Sequence, residues 1–208
     1  AEELAYFGAD VLHPRTVSPL ARRGIPLRIL NSFAPDDAGT LIVAQPSAQR
    51  QVLPAIISTE GLSLVGLTGN GDGWSLHMAA RALRCLAEAN LDVLMFTQSF
   101  AERNLNLVVR FRDQEHAIRL LTHEFERELQ QSLLTHIGSQ AQVATISVVG
   151  MPNGHNEPIA PQAFAALGKL GLHVISVGQA ASEYSVSFVI EERDVARAVP
   201  FIHRELGL

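Results

Sequence analysis

The sequence predicts an α/β fold of the α+β kind: two ferredoxin-like βαββαβ units, interleaved with one another and preceded by a short segment of different character. Two observations predict it. One is a gapless internal repeat; the other is the alternation, within each copy, of strand-like and helix-like apolar spacing. LDVLMFTQSFAERNLNLVV (91–109) lies over LHVISVGQAASEYSVSFVI (172–190), so that Gln98 matches Gln179, Glu102 matches Glu183 and Asp113 matches Asp194. Each pair is separated by 81 positions, and the same offset sets Ala79 on Ala160, Ala82 on Ala163, Leu83 on Phe164 and Leu86 on Leu167. One register over a helix, two strands and their turn records a duplication.

Each element follows from its residues. LSLVGLTG (62–69) and VATISVVG (143–150) are short apolar runs ending at glycine, as strands do. The first helix of copy one carries Leu76, Ala79, Ala80, Leu83, Leu86 and Ala87 at helical spacing, with Asp72 or Ser75 as its N-cap. In copy two Ala160, Ala163, Phe164 and Leu167 repeat the pattern. Asn90 and Gly171 stand where a helix end favours a residue that tolerates positive φ. A second strand is expected at 91–97 and 172–178, and a third at 105–111 and 185–190. In the third strand Leu105, Leu107 and Val109 face one way and Asn104 and Asn106 the other. A closing helix opens at Asp113 or Asp194; Ala117, Ile118, Leu121, Phe125 and Leu129 line one face of the first.

Each unit so read lacks one strand. LLTHI (133–137) can close copy one, but copy two reaches Leu208 with nothing after its helix. VLPAII (52–57) lies 81 positions before LLTHIG and is expected to close copy two, which would place copy one inside it. The expected divisions are 59–139 for one unit, 52–58 plus 140–208 for the other, and 1–50 as the edge of another domain. Residues 1–50 contain an expected strand at 26–33 and turn signals at 34–40, with too few apolar residues for a core.

Composition narrows the function. Sixteen basic and twenty-one acidic side chains give a net charge of −5, without a Lys/Arg cluster, which argues against nucleic acid. No apolar run is long enough for a bilayer, so no membrane partner is expected. A single cysteine, Cys85, fits a reducing compartment, and the cytoplasm is the expected location. The eight histidines form no metal-ligand spacing, and no nucleophile–base set is discernible, so catalytic and metal residues are expected to be none.

Two features suit a small ligand. Gly69-Asn70-Gly71-Asp72-Gly73 joins a strand to a helix and could offer backbone N–H groups to a carboxylate. It could equally be a flexible connection, and without a following Gly-Lys-Ser/Thr it is not a P-loop. Gln98 and Gln179 each stand at a strand end, and an amide there can both donate and accept hydrogen bonds. Capped strand ends facing solvent are the alternative reading. Trp74, at the start of a helix, can pack or stack on a ligand.

FGADVLHPRTVSPLARRGIPLRILNSFAPDDAGTLI (7–42) resembles the end of the kinase domain of aspartate kinases, and the remainder resembles the tandem ACT domains that follow it there. TQSFAE and GQAASE are similar to the turns of their effector-binding strands. The resemblance implies a parent enzyme that uses ATP and Mg to phosphorylate L-aspartate and is feedback-inhibited by an end-product amino acid. The lysine-glycine-glycine signature of the kinase lobe is absent, so this piece alone is expected to be inactive and to hold no cofactor. Glutamine at 98 and 179 resembles the threonine-sensing branch, with lysine as the alternative effector. In copy two Pro152 removes a donor from the equivalent loop, so the effector site is expected in copy one, at Asn70, Gly71, Asp72, Trp74 and Gln98, with Gln179 as the second-copy counterpart. A homodimer through the ACT domains is also implied. A freestanding ACT-pair regulator is the competing binding module, and an enzyme on the same scaffold the competing catalyst.

Overall fold

A computed structural model describes residues 12, 14–43, 55–71, 74–150, 159–179 and 185–208. Helix α1 (Pro14–Arg22) leads to a hairpin of β1 (Leu27–Ile29) and β2 (Thr40–Ile42), in which Leu27 faces Ile42. The strand expected at 26–33 is therefore shorter, and the turn signals at 34–40 form its return. Most of the FGA-x-VLHP motif, the loop at 151–158, the turn at 180–184, and Pro54 lie outside the described residues.

The remaining elements are β3 (Ala55–Gly69), α2 (Leu76–Glu88), β4 (Met95–Ser99), β5 (Asn104–Arg110), α3 (Gln114–Glu124), α4 (Glu126–Gln130), β6 (Leu134–Val149), α5 (Ile159–Lys169), β7 (Ser176–Gln179), β8 (Ser185–Glu191) and α6 (Val195–Glu205). The six strands form one antiparallel sheet in the order β4-β5-β3-β6-β8-β7. Its centre is two unusually long strands, β3 with 15 residues and β6 with 16. Leu62–Thr68 pair with β5 on one side and with the first half of β6 on the other. Ala55–Thr59 pair instead with Thr145–Val149, whose other edge is taken by β8. Each long strand thus serves both copies of the repeat.

Besides a shift at the end of β3, between Thr68 and Gly69, both strands break register midway. Pairing shifts between Thr59 and Leu62 and again between Leu62 and Ser63. Gly61 there has φ of 69° and Gln142, on β6, has φ of 57°. An extra residue bends a strand and increases its twist, which is how each strand leaves one half-sheet for the other.

Three apolar clusters are formed among the described residues. Val65, Leu67, Leu105, Leu107 and Val109 meet α2 and α3 through Ala82, Leu86, Leu121 and Phe125. Ala144, Ile146, Val148, Val186, Phe188 and Ile190 meet α5 and α6 in the same manner. The third lies on the opposite faces of the half-sheets: Leu62, Leu64, Val108, Val143 and Val189 are buried, with Leu94, Met95 and Ile175 packed against them. Edge strands β4 and β7 meet at this seam, where the Thr97 and Ser176 hydroxyls are 2.8 Å apart. A Cβ on Gly178 would come within 2.9 Å of Met95 Sδ.

Several boundaries differ from those expected. The second strands occupy 95–99 and 176–179 rather than beginning at 91 and 172. Leu91 and Val93 still pack on the first core, outside any ladder. Leu76 is exposed, although its spacing placed it on the core face; it is the first residue of α2, where the chain has not yet turned onto the sheet. The closing helix breaks at Phe125, whose ring fills the core while its φ of −108° leaves the helical region. Asn90 and Gly171 do have positive φ, 55° and 63°.

Candidate functional site

The turn leading to α2 is less open than its composition suggests. The Gly69 N–H donates to Arg103 O at 2.7 Å and the Asn70 N–H donates to Leu133 O at 2.8 Å. Two of the donors expected to face a ligand are thereby spent on neighbouring loops, and they fix the turn against the ends of β5 and α4. Gly71 has φ of 53°, a conformation that favours glycine. Asp72 and Gly73 lie outside the described residues. Ser75 occupies the N-cap with extended backbone, but its hydroxyl makes no capping bond; its carbonyl accepts from the Met78 N–H at 3.0 Å.

Trp74 is buried at 8% exposure and belongs to the first core cluster. It lies against the end of β3, since a Cβ on Gly69 would be 2.9 Å from Trp74 Cβ and 3.0 Å from Cε3. Its indole Nε1 is buried and has no hydrogen-bond partner.

Gln98 lies on edge strand β4 opposite Leu105, a residue of that same cluster. Residues paired directly across a ladder share a face, so Gln98 and Trp74 belong to the helix-bearing face of unit one. The Gln98 side chain is half-buried, and its Nε2 is enclosed without a partner. The turn that follows closes on itself: the Glu102 N–H donates to Ser99 Oγ at 3.2 Å, and Asn104 Nδ2 donates to Glu102 Oε2 at 3.0 Å. Phe96 and Phe100, on either side of Gln98 in the chain, are exposed apolar residues, as is Leu76 at the start of α2.

Gln179 differs. It ends β7 opposite Val186 and is exposed. Duplication thus places both glutamines at equivalent ladder positions, yet only Gln98 has an enclosed amide. The residues brought to one face are Trp74 and Gln98, with Asn70 and Gly71 in the turn beside Trp74; Gln179 stands on the other unit.

A hollow of about 560 Å³ lies at the bend, lined by Glu60, Gln140, Gln142, Glu191, Glu192 and Arg193. Two of its carboxylates are engaged. Glu192 Oε2 accepts from the Gly61 N–H at 3.0 Å, and Glu191 pairs with Arg193 at 2.5 Å. No group of three or more His, Cys, Asp or Glu side chains among the described residues could hold a metal ion. No described helix is long and apolar enough to cross a membrane.

Comparison with known proteins gives this geometry a context. A family model described as ACT domain matches residues 65–125 and 146–206, two spans in the register of the repeat. The chain is 31% identical over 206 residues to a bifunctional aspartokinase/homoserine dehydrogenase of Buchnera aphidicola, covering 99% of this chain and 25% of that protein. The chain therefore spans about a quarter of the length of this relative. Among solved structures, aspartate kinase of Clostridium acetobutylicum superposes with a TM-score of 0.75 at 20% identity, covering 94% of this chain and 44% of the other. E. coli aspartokinase III in complex with lysine and aspartate superposes with a TM-score of 0.71 at 24% identity, covering 99% and 44%. At these identities the structural likeness is one of fold.

Proposed function

This chain belongs to the ACT domain family, and from that premise we propose that it is the effector-sensing part of an aspartate kinase, binding a free amino acid beside Gln98 for feedback inhibition. The observation that carries the reading is the enclosed, unpartnered amide of Gln98 on an edge strand. A buried polar group without a partner is destabilising by about 1–3 kcal/mol, and a ligand that satisfies it recovers that energy on binding. Threonine is the effector we favour, because its hydroxyl and carboxylate can engage an amide.

Lysine is the second reading, supported by the complex of E. coli aspartokinase III with lysine. Calorimetric titration with threonine, lysine and methionine, repeated on Gln98→Ala, tests both. Failure of all three to bind at millimolar concentration would sink the sensor reading. The parent enzyme would phosphorylate aspartate with ATP and Mg on a domain of which residues 1–50 form the edge, and the ACT units would regulate that reaction without taking part in it.

We divide the sensor at 59–139 for one ACT unit and 52–58 with 140–208 for the other. The pairing of Ala55–Thr59 with Thr145–Val149 supports the division. A homodimer through the ACT units is supported by exposed Phe96 on edge strand β4. The single cysteine supports a reducing compartment such as the cytoplasm. Inhibition would follow from effector affinity that differs between active and inactive arrangements, with a coupling of about 1–3 kcal/mol.

A further inference from the structure

We infer that Ser176, on the second unit, is a positioning residue for the effector strand of the first: its hydroxyl holds β4 from behind and so fixes where Gln98 presents its amide. The inference rests on the reading of Gln98 as an effector contact and adds a residue of the other unit that governs it. Strands β4 and β7 are the two ends of the six-stranded sheet, and no ladder joins them among the described residues. They meet through side chains instead, with Thr97 Oγ1 2.8 Å from Ser176 Oγ. A Cβ on Gly178 would stand 2.9 Å from Met95 Sδ and 3.4 Å from its Cγ. Two residues forward on β4 thus answer to two residues back on β7, so the strands run antiparallel where they touch. At the offset of 81, Ser176 is the repeat counterpart of Met95, and Gly178 that of Thr97. Each contact joins one position to the counterpart of the other, yet only one of the two is a hydrogen bond.

Little else fixes the strand that carries Gln98. β4 has five residues and a ladder on one edge only, with β5. Successive residues of a strand point to opposite faces, so Gln98 on the helix-bearing face leaves Thr97 directed at the second unit. That unit is shaped to receive it. Gly178 pairs with Ser187, and Ser187 with Ser147; residues so paired share a face. The Ser147 and Ser187 hydroxyls lie 2.7 Å apart, and both residues are buried. Small side chains along this line let β4 approach, and Met95 takes the space that a side chain at 178 would need. The hydroxyl of Ser176 is the polar grip on that approach.

Calorimetric titration of the chain with L-threonine, and separately with L-lysine, tests the inference on variants that leave Gln98 in place. Ser176→Ala and Thr97→Val should each weaken binding about two- to tenfold, the range of one hydrogen bond. The double variant should lose no more than either single one, because both remove the same bond. Ser176→Thr, which keeps a hydroxyl, should restore affinity. In NMR spectra of the unsubstituted chain, backbone peaks of Ser176–Gln179 should move with those of Gln98 on titration; in Ser176→Ala the β7 peaks should stay still while those of β8 keep their places, which shows the fold intact. Unchanged affinity in Ser176→Ala, or losses in the double variant that multiply, would overturn the inference while binding by the unsubstituted chain leaves the effector site standing. No binding of either amino acid by the unsubstituted chain would remove the effector reading, and this inference with it.

Discussion

Gly61 and Gln142 hold equivalent places in the repeat, and both have left-handed backbone, with φ of 69° and 57°. They mark the bend in β3 and β6, where each strand passes from one half-sheet to the other. Only one of them is glycine. A side chain in this region is strained by about 1 kcal/mol. Gln142→Gly should therefore stabilise the chain by up to about 1 kcal/mol, while Gly61→Ala should destabilise it by about as much. The space beside Gly61 is open, so strain in the backbone is the only penalty there. Urea denaturation of the two variants reads both changes, and a loss of stability in Gln142→Gly would contradict the account.

The helices of unit one are joined by a charged cluster. Arg81 Nε donates to Glu124 Oε1 at 2.8 Å, its Nη2 donates to Glu124 O at 2.8 Å, and its Nη1 donates to Glu128 Oε1. The guanidinium also lies 4.7 Å from the Phe125 ring centroid. Burial is the largest single influence and pushes the Glu128 carboxyl up, but the hydrogen bond and charge of Arg81, a backbone hydrogen bond and the charge of Arg127 together outweigh it and hold the group below the usual carboxylate range. A depressed carboxyl contributes stability above its unfolded pKa, and that contribution is lost as pH falls through the folded pKa. Arg81→Met should lower stability at neutral pH by about 2 kcal/mol and flatten the acid limb of the stability–pH curve. An unchanged acid limb in the variant would show that Glu128 does not depend on Arg81.

Where the sequence was informative, one residue pattern repeated. Leu105, Leu107 and Val109 alternate with asparagines, and the core face of β5 follows directly. The seam between the units was hidden by that same alternation. Val108 stands among the positions read as outward, and it is buried because Val189 and Val143 come to meet it. The clue was available in the repeat: Val108 and Val189 occupy one position in both copies and neither is polar. VLPAII and LSLVGLTG read as separate segments because Thr59, Glu60 and Gly61 intervene, whereas a bulge carries one strand through them. Gln98 was legible from duplication. The fate of Trp74 was not, since one aromatic residue in a loop has no period to reveal which side it faces.

Strands shared by both units should make the chain unfold as one. Val108→Ala and Val189→Ala each remove buried methyl groups from the seam, and each should lower stability by about 1–3 kcal/mol. Neither should produce a second transition, because β3 and β6 cannot leave one half-sheet intact when the other melts. Calorimetry and hydrogen exchange together test this. Separate melting of residues 62–137 and 143–206 would show that the seam does not couple them.

The two glutamines provide the sharpest functional contrast. They lie at equivalent ladder positions, opposite Leu105 and Val186, but one amide is enclosed and the other is exposed. An exposed amide already hydrogen-bonds water, so a ligand gains little by replacing that water; an enclosed, unpartnered amide has no such competitor. Gln98→Ala should weaken amino-acid binding by about tenfold or more, while Gln179→Ala should alter it by no more than about twofold. One binding event per chain should accompany this pattern in calorimetry. Equal losses from both substitutions, with two sites per chain, would mean that burial of the amide does not decide where the effector sits.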